Sequence, residues 1–147
     1  MNLISICNQK SIYEFLFRER MNGQPHGREN ALSFFTWANS GWKEQSHFVF
    51  SLVAPTGLIA GVLDIKTADR SMAEIGYWCS EEHRGLMSGA VSELKSLAME
   101  AGFEALFARV RTDNVASRRV LENNGFASRG EKLKEPGRLR YEVLLSR

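Results

Sequence analysis

The sequence predicts an α+β fold, a meander of strands with helices before and after it, and three observations carry that prediction. Short apolar runs between His47 and Cys79 are separated by turn segments, Ala54-Pro55-Thr56-Gly57 and Thr67 to Ser71. From Met87 to Gly102, Met87, Ala90, Val91, Leu94, Leu97, Ala98 and Ala101 recur at three- and four-residue spacing, the period of an amphipathic helix. The stretch from Thr112 to Phe126 follows an apolar strand and reads as a helix marked at both ends, with Asp113 or Asn114 at its start and Gly125 where a left-handed cap is wanted.

Taken in order, Leu3 to Cys7 reads as a first strand, and Ser11 caps a helix running to about Arg20. Met21 to Arg28, with Gly23, Pro25 and Gly27, is a loop. A second helix is expected from Glu29 to Ala38, stopped by Asn39-Ser40-Gly41. Phe34, Phe35, Trp37 and Trp42 are read mainly as its packing residues. His47 to Val53 and Leu58 to Ile65 form a hairpin, and Met72 to Cys79 adds the next strand. After the helix that Gly102 ends come the strand Ala105 to Val110 and the helix from Asn114, whose apolar stripe is Ala116, Val120 and Leu121. A closing hairpin pairs Phe126 to Lys132 with Arg140 to Leu145, turning at Glu135-Pro136-Gly137.

The chain has 147 residues, enough for one domain and too few for two. Its 44% hydrophobic and 24% charged content is that of a soluble globular protein. A net charge of +2 with no block of Lys and Arg argues against nucleic acid, and Arg138 to Arg140 reads as a solvated turn. Cys7 and Cys79, far apart and without a secretory signal, are expected to be reduced thiols of a cytoplasmic protein. No apolar run reaches membrane-spanning length. His26, His47 and His83 are scattered, so no metal is expected. Nothing specifies a self-complementary patch, which leaves the oligomeric state open.

Three groups of residues are placed to carry chemistry. Strand alternation sets Glu74, Gly76 and Trp78 on one face and Ala73, Ile75, Tyr77 and Cys79 on the other, so Glu74 reads either as a carboxylate base in a cleft or as an ordinary exposed glutamate. Glu82-His83-Arg84-Gly85-Leu86-Met87-Ser88-Gly89 leads from a strand into a helix, where backbone amides suit a phosphate, though taken alone these residues read as an ordinary loop and helix cap. Asn114 and Ser117 are polar positions at a helix start and serve at least as its cap.

The combination Asn114-x-x-Ser117-x-x-x-Leu121-x-x-x-Gly125-Phe126, with Ala73-Glu74-Ile75-Gly76-Tyr77-Trp78 and Arg84-Gly85 upstream, resembles the GCN5-related N-acetyltransferases, in particular the RimJ/RimL-like branch that acetylates ribosomal protein N-termini. The resemblance extends from about His47 to the C-terminus. It implies a single domain with a twisted, mostly antiparallel mixed sheet splayed near its middle and about four helices. It implies acetyl-CoA as cosubstrate and an amine acceptor, either a protein N-terminus or a small molecule, with no metal. For acyl transfer to an amine, Glu74 is the candidate base, the Asn-x-x-Ser match carries over Ser117 as the acid, and Tyr141 is the alternative acid. The backbone at Trp78, Cys79 and Ser80 and the side chain of Asn114 would then meet the pantetheine, and Arg84 with Gly85, Leu86, Met87, Ser88 and Gly89 the pyrophosphate. One departure stands out: the branch commonly runs Arg-Gly-Lys-Gly before the helix, whereas here Arg84-Gly85 passes directly to Leu86-Met87, two residues shorter and without the second glycine. That shortening admits a second expectation, a non-catalytic binding module that keeps the fold with impaired cofactor binding.

Overall fold

Link length dictates most of the strand pairing. The computed structural model describes residues 24–25, 27–132 and 135–146. Their elements are α1 (Arg28–Glu44), β1 (Phe48–Val53), β2 (Ile59–Ile65), β3 (Ala73–Cys79), a 3₁₀ segment (Glu81–Leu86), α2 (Met87–Glu100), β4 (Ala105–Arg111), α3 (Val115–Asn123), β5 (Ala127–Lys132) and β6 (Glu135–Leu144). The strand expected at Leu3 to Cys7 and the helix expected from Ser11 lie outside the described residues. Between β1 and β2, Ala54 N–H donates to the Leu58 carbonyl and Gly57 N–H to the Ala54 carbonyl, both at 2.9 Å, and so short a link can only reverse the chain. Between β3 and β4 the 3₁₀ segment and α2 give a crossover long enough for parallel pairing, with register Ala73↔Leu106 and Glu74↔Phe107. β4 with β6 and β5 with β6 are antiparallel, and the strand order is β1-β2-β3-β4-β6-β5. The result is a mixed, mostly antiparallel sheet with helices, the α+β class expected.

The contacts divide the chain into two compact units. One holds the described residues up to Asp64 together with Tyr77–Arg84. One buried cluster in it is Ala31 and Val62, with Phe34, Phe35, Val49 and Trp78 packed on them, and Phe48, Ala54, Ala60 and Leu63 are buried as well. α1 opens where the Gly27 N–H donates to Asn30 Oδ1 at 2.9 Å and closes on Gln45 in the left-handed region, φ 56°. It therefore runs straight through Asn39-Ser40-Gly41, the expected stop. The reason is packing: a Cβ at Gly41 would overlap the His47 ring, so this glycine serves a close approach instead of a helix end. That ring stacks on Trp37 at 4.2 Å, and its Nε2 lies 2.8 Å from the Trp37 carbonyl, which requires Nε2 to carry a proton and donate. Trp42 packs edge-on to Phe48 and Phe50 and donates its indole N–H to the Val49 carbonyl at 2.8 Å.

The other unit holds Ile65–Gly76 and the described residues from Gly85 onward. α2 buries Met87, Val91, Leu94 and Ala98 at helical spacing, while Leu97, expected in the same stripe, is 46% exposed. α3 buries Leu121 alone and ends in a Schellman arrangement. Phe126 N–H donates to the Leu121 carbonyl and Gly125 N–H to that of Glu122, with Gly125 at φ 80°, the left-handed turn its position predicts. Asn124 ties the two helices: its Nδ2 donates to the carbonyls of Ser88 and Val120, and its own carbonyl accepts from Lys95 Nζ at 2.6 Å. The closing hairpin differs from expectation, because β6 begins at Glu135 and takes Pro136 and Gly137 into the strand. Register shifts between Ser128 and Lys132 absorb them as a bulge, which is how a proline and a φ 80° glycine are accommodated in a sheet.

The approach of β2 to β3 in the first unit is set by Gly61. A Cβ there would sit 2.5 Å from the Trp78 carbonyl oxygen and 2.9 Å from Cys79 Cβ. Gly61→Ala is expected to destabilise by about 1–3 kcal/mol, since backbone must give way. Gly89→Ala, with nothing within 4 Å, is expected to be neutral or stabilising by up to about 1 kcal/mol. Urea denaturation of the two variants checks this, and equal midpoints would contradict it.

Candidate active site

Glu74 sits in the N-terminal half of β3 between Ala73 and Ile75, which are 0% and 2% exposed, so its own side chain takes the opposite face. There it meets Arg109 of β4, whose Nε and Nη2 donate to the two carboxylate oxygens at 2.6 and 3.0 Å. The pair is bidentate and mostly shielded on the acid side, with the Glu74 side chain 14% exposed and that of Arg109 34%. Each carboxylate oxygen keeps a second lone pair, so the clamp orients Glu74 without using all of its acceptor capacity.

Alternation divides the β4–β6 pair into two faces. Ala108 stands opposite Tyr141, and the Tyr141 hydroxyl donates to Glu122 Oε1 at 3.0 Å and accepts from Arg118 Nε at 3.3 Å, so this face is covered by α3. Arg118 also donates to the Thr112 carbonyl at 3.0 Å, and the hydrogen bond to Tyr141 raises its pKa above the ordinary guanidinium value. The other face carries Phe107, Arg109 and Arg111 from β4 opposite Glu142, Arg140 and Arg138 from β6. Glu74 belongs with this second set. Tyr141, only 2% exposed, is on the first, so the structure separates these two candidates by the thickness of the sheet.

On the face of Arg109, the Arg140 guanidinium lies 3.7 Å from the centre of the Phe107 ring and donates to Glu142 Oε1 at 2.7 Å. Arg129 of β5 donates to the same carboxylate at 3.3 Å. Arg111 pairs with Asp113 at 3.2 Å.

At the head of α3 the cap is Asn114, not Asp113. Its Oδ1 accepts from the Ser117 backbone N–H at 3.2 Å, and its carbonyl accepts from Arg118 N–H at 3.1 Å. Because Oδ1 is the capping atom, the amide orientation is fixed, and Nδ2 makes no hydrogen bond among the described residues. Asn114 and the neighbouring Ser117 are both half-buried.

In the first unit, β3 ends at Cys79, which is half-buried. Ser80 follows, 4% exposed, with its N–H donated to the Ala60 carbonyl at 2.6 Å. Its Oγ lies 2.6 Å from His83 Nδ1, and the His83 N–H donates to the Ser80 carbonyl at 3.0 Å, which closes the turn that opens the 3₁₀ segment. That segment bends at His83 (φ −119°, ψ 20°) and then winds through Arg84, Gly85 and Leu86 into α2, Leu86 itself being helical at φ −84°, ψ −18°. The shortened motif is thus a helical run into Met87, Ser88 and Gly89, and a helix preceded by helical residues has fewer orphan amides than one preceded by extended chain. No side chain caps it. A Cβ at Gly85 or Gly89 would meet nothing within 4 Å, so both positions face open space.

Arg109, Arg118 and Asn124 were not singled out by sequence reasoning. Each acts through a partner far along the chain, as Arg109 does with Glu74 35 residues away, and no local pattern announces such a pair. Among the described residues no group of His, Cys, Asp and Glu could hold a metal ion. No helix among them is long and apolar enough to cross a membrane.

Hydrogen bonding from Arg140, assisted by Arg129, holds the Glu142 carboxyl below its ordinary value of 4.5. A carboxyl whose pKa is depressed on folding adds stability that is present above its unfolded pKa and lost as pH falls through the folded one. Thermal stability is therefore expected to drop below about pH 4.5, and Glu142→Gln to make that drop shallower. Melting curves from pH 7 to pH 2.5 check this, and parallel profiles would contradict it.

Comparison with known proteins agrees with this architecture. A family model described as an acetyltransferase (GNAT) domain matches residues 2–127. No curated protein matches the chain significantly. Among solved structures, the chain is similar to the microcin C7 self-immunity acetyltransferase MccE in complex with acetyl-CoA and AMP, with TM-score 0.78 and 17% identity over 97% of this chain and 85% of that one. It is likewise similar to RimL, the ribosomal L7/L12 alpha-N-protein acetyltransferase in complex with coenzyme A, with TM-score 0.79 and 18% identity over 97% and 86%. Spermidine N-acetyltransferase from Vibrio cholerae, in complex with CoA and spermine, gives 0.73 and 14% over 97% and 88%. At such identities the likeness is one of fold, and it is the family model, spanning most of the sequence, that supports the conclusion that this chain belongs to the GNAT acetyltransferases.

Proposed function

We propose that the protein is an acetyl-CoA-dependent N-acetyltransferase that moves an acetyl group directly from the thioester to a primary amine, on a protein N-terminus or a small molecule. The observation that carries this reading is the head of α3. Asn114 caps the helix with Oδ1 alone and keeps Nδ2 as a donor suited to a pantetheine carbonyl, within a chain of this family. In the first unit the backbone of Trp78 to Ser80 is the segment assigned to the same arm by resemblance, as an added strand would pair. Arg84 to Gly89 is the segment assigned to the pyrophosphate, with the dipole at the head of α2 as its main attraction. Proteins of this fold bind acetyl-CoA or CoA in the MccE, RimL and spermidine acetyltransferase complexes.

In this reading the amine nitrogen attacks the thioester carbonyl carbon, the new C–N bond forms, and the C–S bond breaks to release the CoA thiolate. The amine's surplus proton passes to Glu74, directly or through a water, with Arg109 holding the carboxylate in place. Ser117, at the head of α3, is the group assigned to donate to the departing sulfur. Tyr141 is the less suited acid, because its proton is already donated to Glu122 and it is 2% exposed.

A second reading is a binding module with weakened cofactor affinity, and the observation favouring it is the direct winding of the 3₁₀ segment into α2. Fold membership alone does not decide between the two. Calorimetric melting together with a thiol-release assay does: acetyl-CoA at about 100 times its Kd is expected to stabilise the protein by about 2.7 kcal/mol, and an amine acceptor then to release free thiol. Asn114→Asp keeps the capping oxygen and removes the Nδ2 donor, so it is expected to leave unliganded stability within about 0.5 kcal/mol while weakening acetyl-CoA about tenfold. No stabilisation at millimolar acetyl-CoA would rule out the enzymatic reading. Stabilisation without thiol release across a panel of amines and N-terminal peptides would favour the binding module.

A further inference from the structure

The face of β4 and β6 turned away from α3 is built against its own stability. Arg109 stands directly opposite Arg140, and Arg111 directly opposite Arg138, so two consecutive same-face pairs across the same two strands oppose like charges. Such pairs weaken an isolated sheet. Glu74, Glu142 and Asp113 offset part of the repulsion. The Arg109 and Arg111 side chains remain 34% and 43% exposed, and the flanking Arg129 is 60% exposed. Arg138 is exposed and makes no ion pair among the described residues.

We propose that this face binds an acidic peptide in extended form. Arg109 and Arg111 are two residues apart on one strand, as are Arg138 and Arg140, which spaces each couple by about 6.6–6.8 Å. Alternate side chains of an extended peptide repeat at the same distance, so carboxylates at every second position find successive guanidiniums. The Arg140 guanidinium is held in place over the Phe107 ring and by Glu142, so little side-chain freedom is lost when it meets a carboxylate. Glu74 and Glu142 interrupt the positive surface. A phosphate backbone holds its charges in the chain itself and would meet repulsion at both, whereas a peptide's acids sit on rotatable side chains that can turn away from them, and charge complementarity therefore selects the peptide. The surface stands without any acetyl transfer. Only its identification as the docking face of the acceptor amine rests on the function proposed above.

The test is fluorescence anisotropy with an alternating serine–glutamate octapeptide labelled at its C-terminus, in the absence of acetyl-CoA. Arg138→Glu is expected to weaken binding about fivefold to tenfold. By removing a like-charge pair it is also expected to leave the melting temperature of the free protein unchanged or raise it by about 1–2 °C. Arg119→Glu, an exposed charge reversal on α3, is expected to leave affinity unchanged within about twofold. An alternating serine–lysine peptide is expected not to bind. The proposal is overturned if the acidic peptide does not bind, if the two variants weaken it equally, or if a thymidine oligonucleotide of equal charge binds as tightly. Since the assay contains no acyl donor, its failure leaves the acetyltransferase reading untouched, and failure of that reading leaves a positive binding result in place.

Discussion

The ion pair between Glu74 and Arg109 decides what β3 can do at its junction with β4. The parallel register there runs over Ala73↔Leu106 and Glu74↔Phe107, a short ladder at which a bidentate side-chain bond adds two further hydrogen bonds. Ala73 and Ile75 bury on the other side of the strand, so Glu74 cannot change faces without exposing apolar surface, and the bidentate bond to Arg109 fixes its direction on that face. The result is a carboxylate with a defined direction on a face that carries four arginines from β4 and β6 and one further carboxylate, Glu142. It is also kept apart from Tyr141, whose hydroxyl is committed to α3.

What the sequence made legible is what local chemistry controls. The cap of α3 and its left-handed glycine follow from residue type and spacing, and Asn114 and Gly125 do what those rules require. The hairpin at Ala54 to Gly57 and the period of α2 were legible for the same reason. Gly41 misled because a glycine reads as a helix stop when nothing reveals the His47 ring against it. Pro136-Gly137 misled likewise: in sequence it is a turn, whereas a register shift in β5 lets β6 carry it as a bulge. The Arg111–Arg138 and Arg109–Arg140 oppositions are products of strand register, and register is not written in either strand alone.

The shortened segment after β3 connects these local rules to function. Where the family resemblance leads one to expect an open glycine loop, the chain winds from Glu81 through Leu86 directly into α2. Helical winding there trades exposed amides for internal bonds, so the head of α2 offers fewer free N–H groups than an open loop would. Family membership supplies the fold.

Glu74 and Arg109 act as a pair, and a double-mutant cycle on folding stability measures this directly. Glu74→Gln, Arg109→Met and the double variant, each unfolded in urea, are expected to give a coupling energy of about 1 kcal/mol, the scale of a bidentate, partly shielded ion pair. The double variant would then be less destabilised than the sum of the singles. Additive losses, with a coupling indistinguishable from zero, would contradict the account, because Arg109 would then hold Glu74 no more firmly than solvent does.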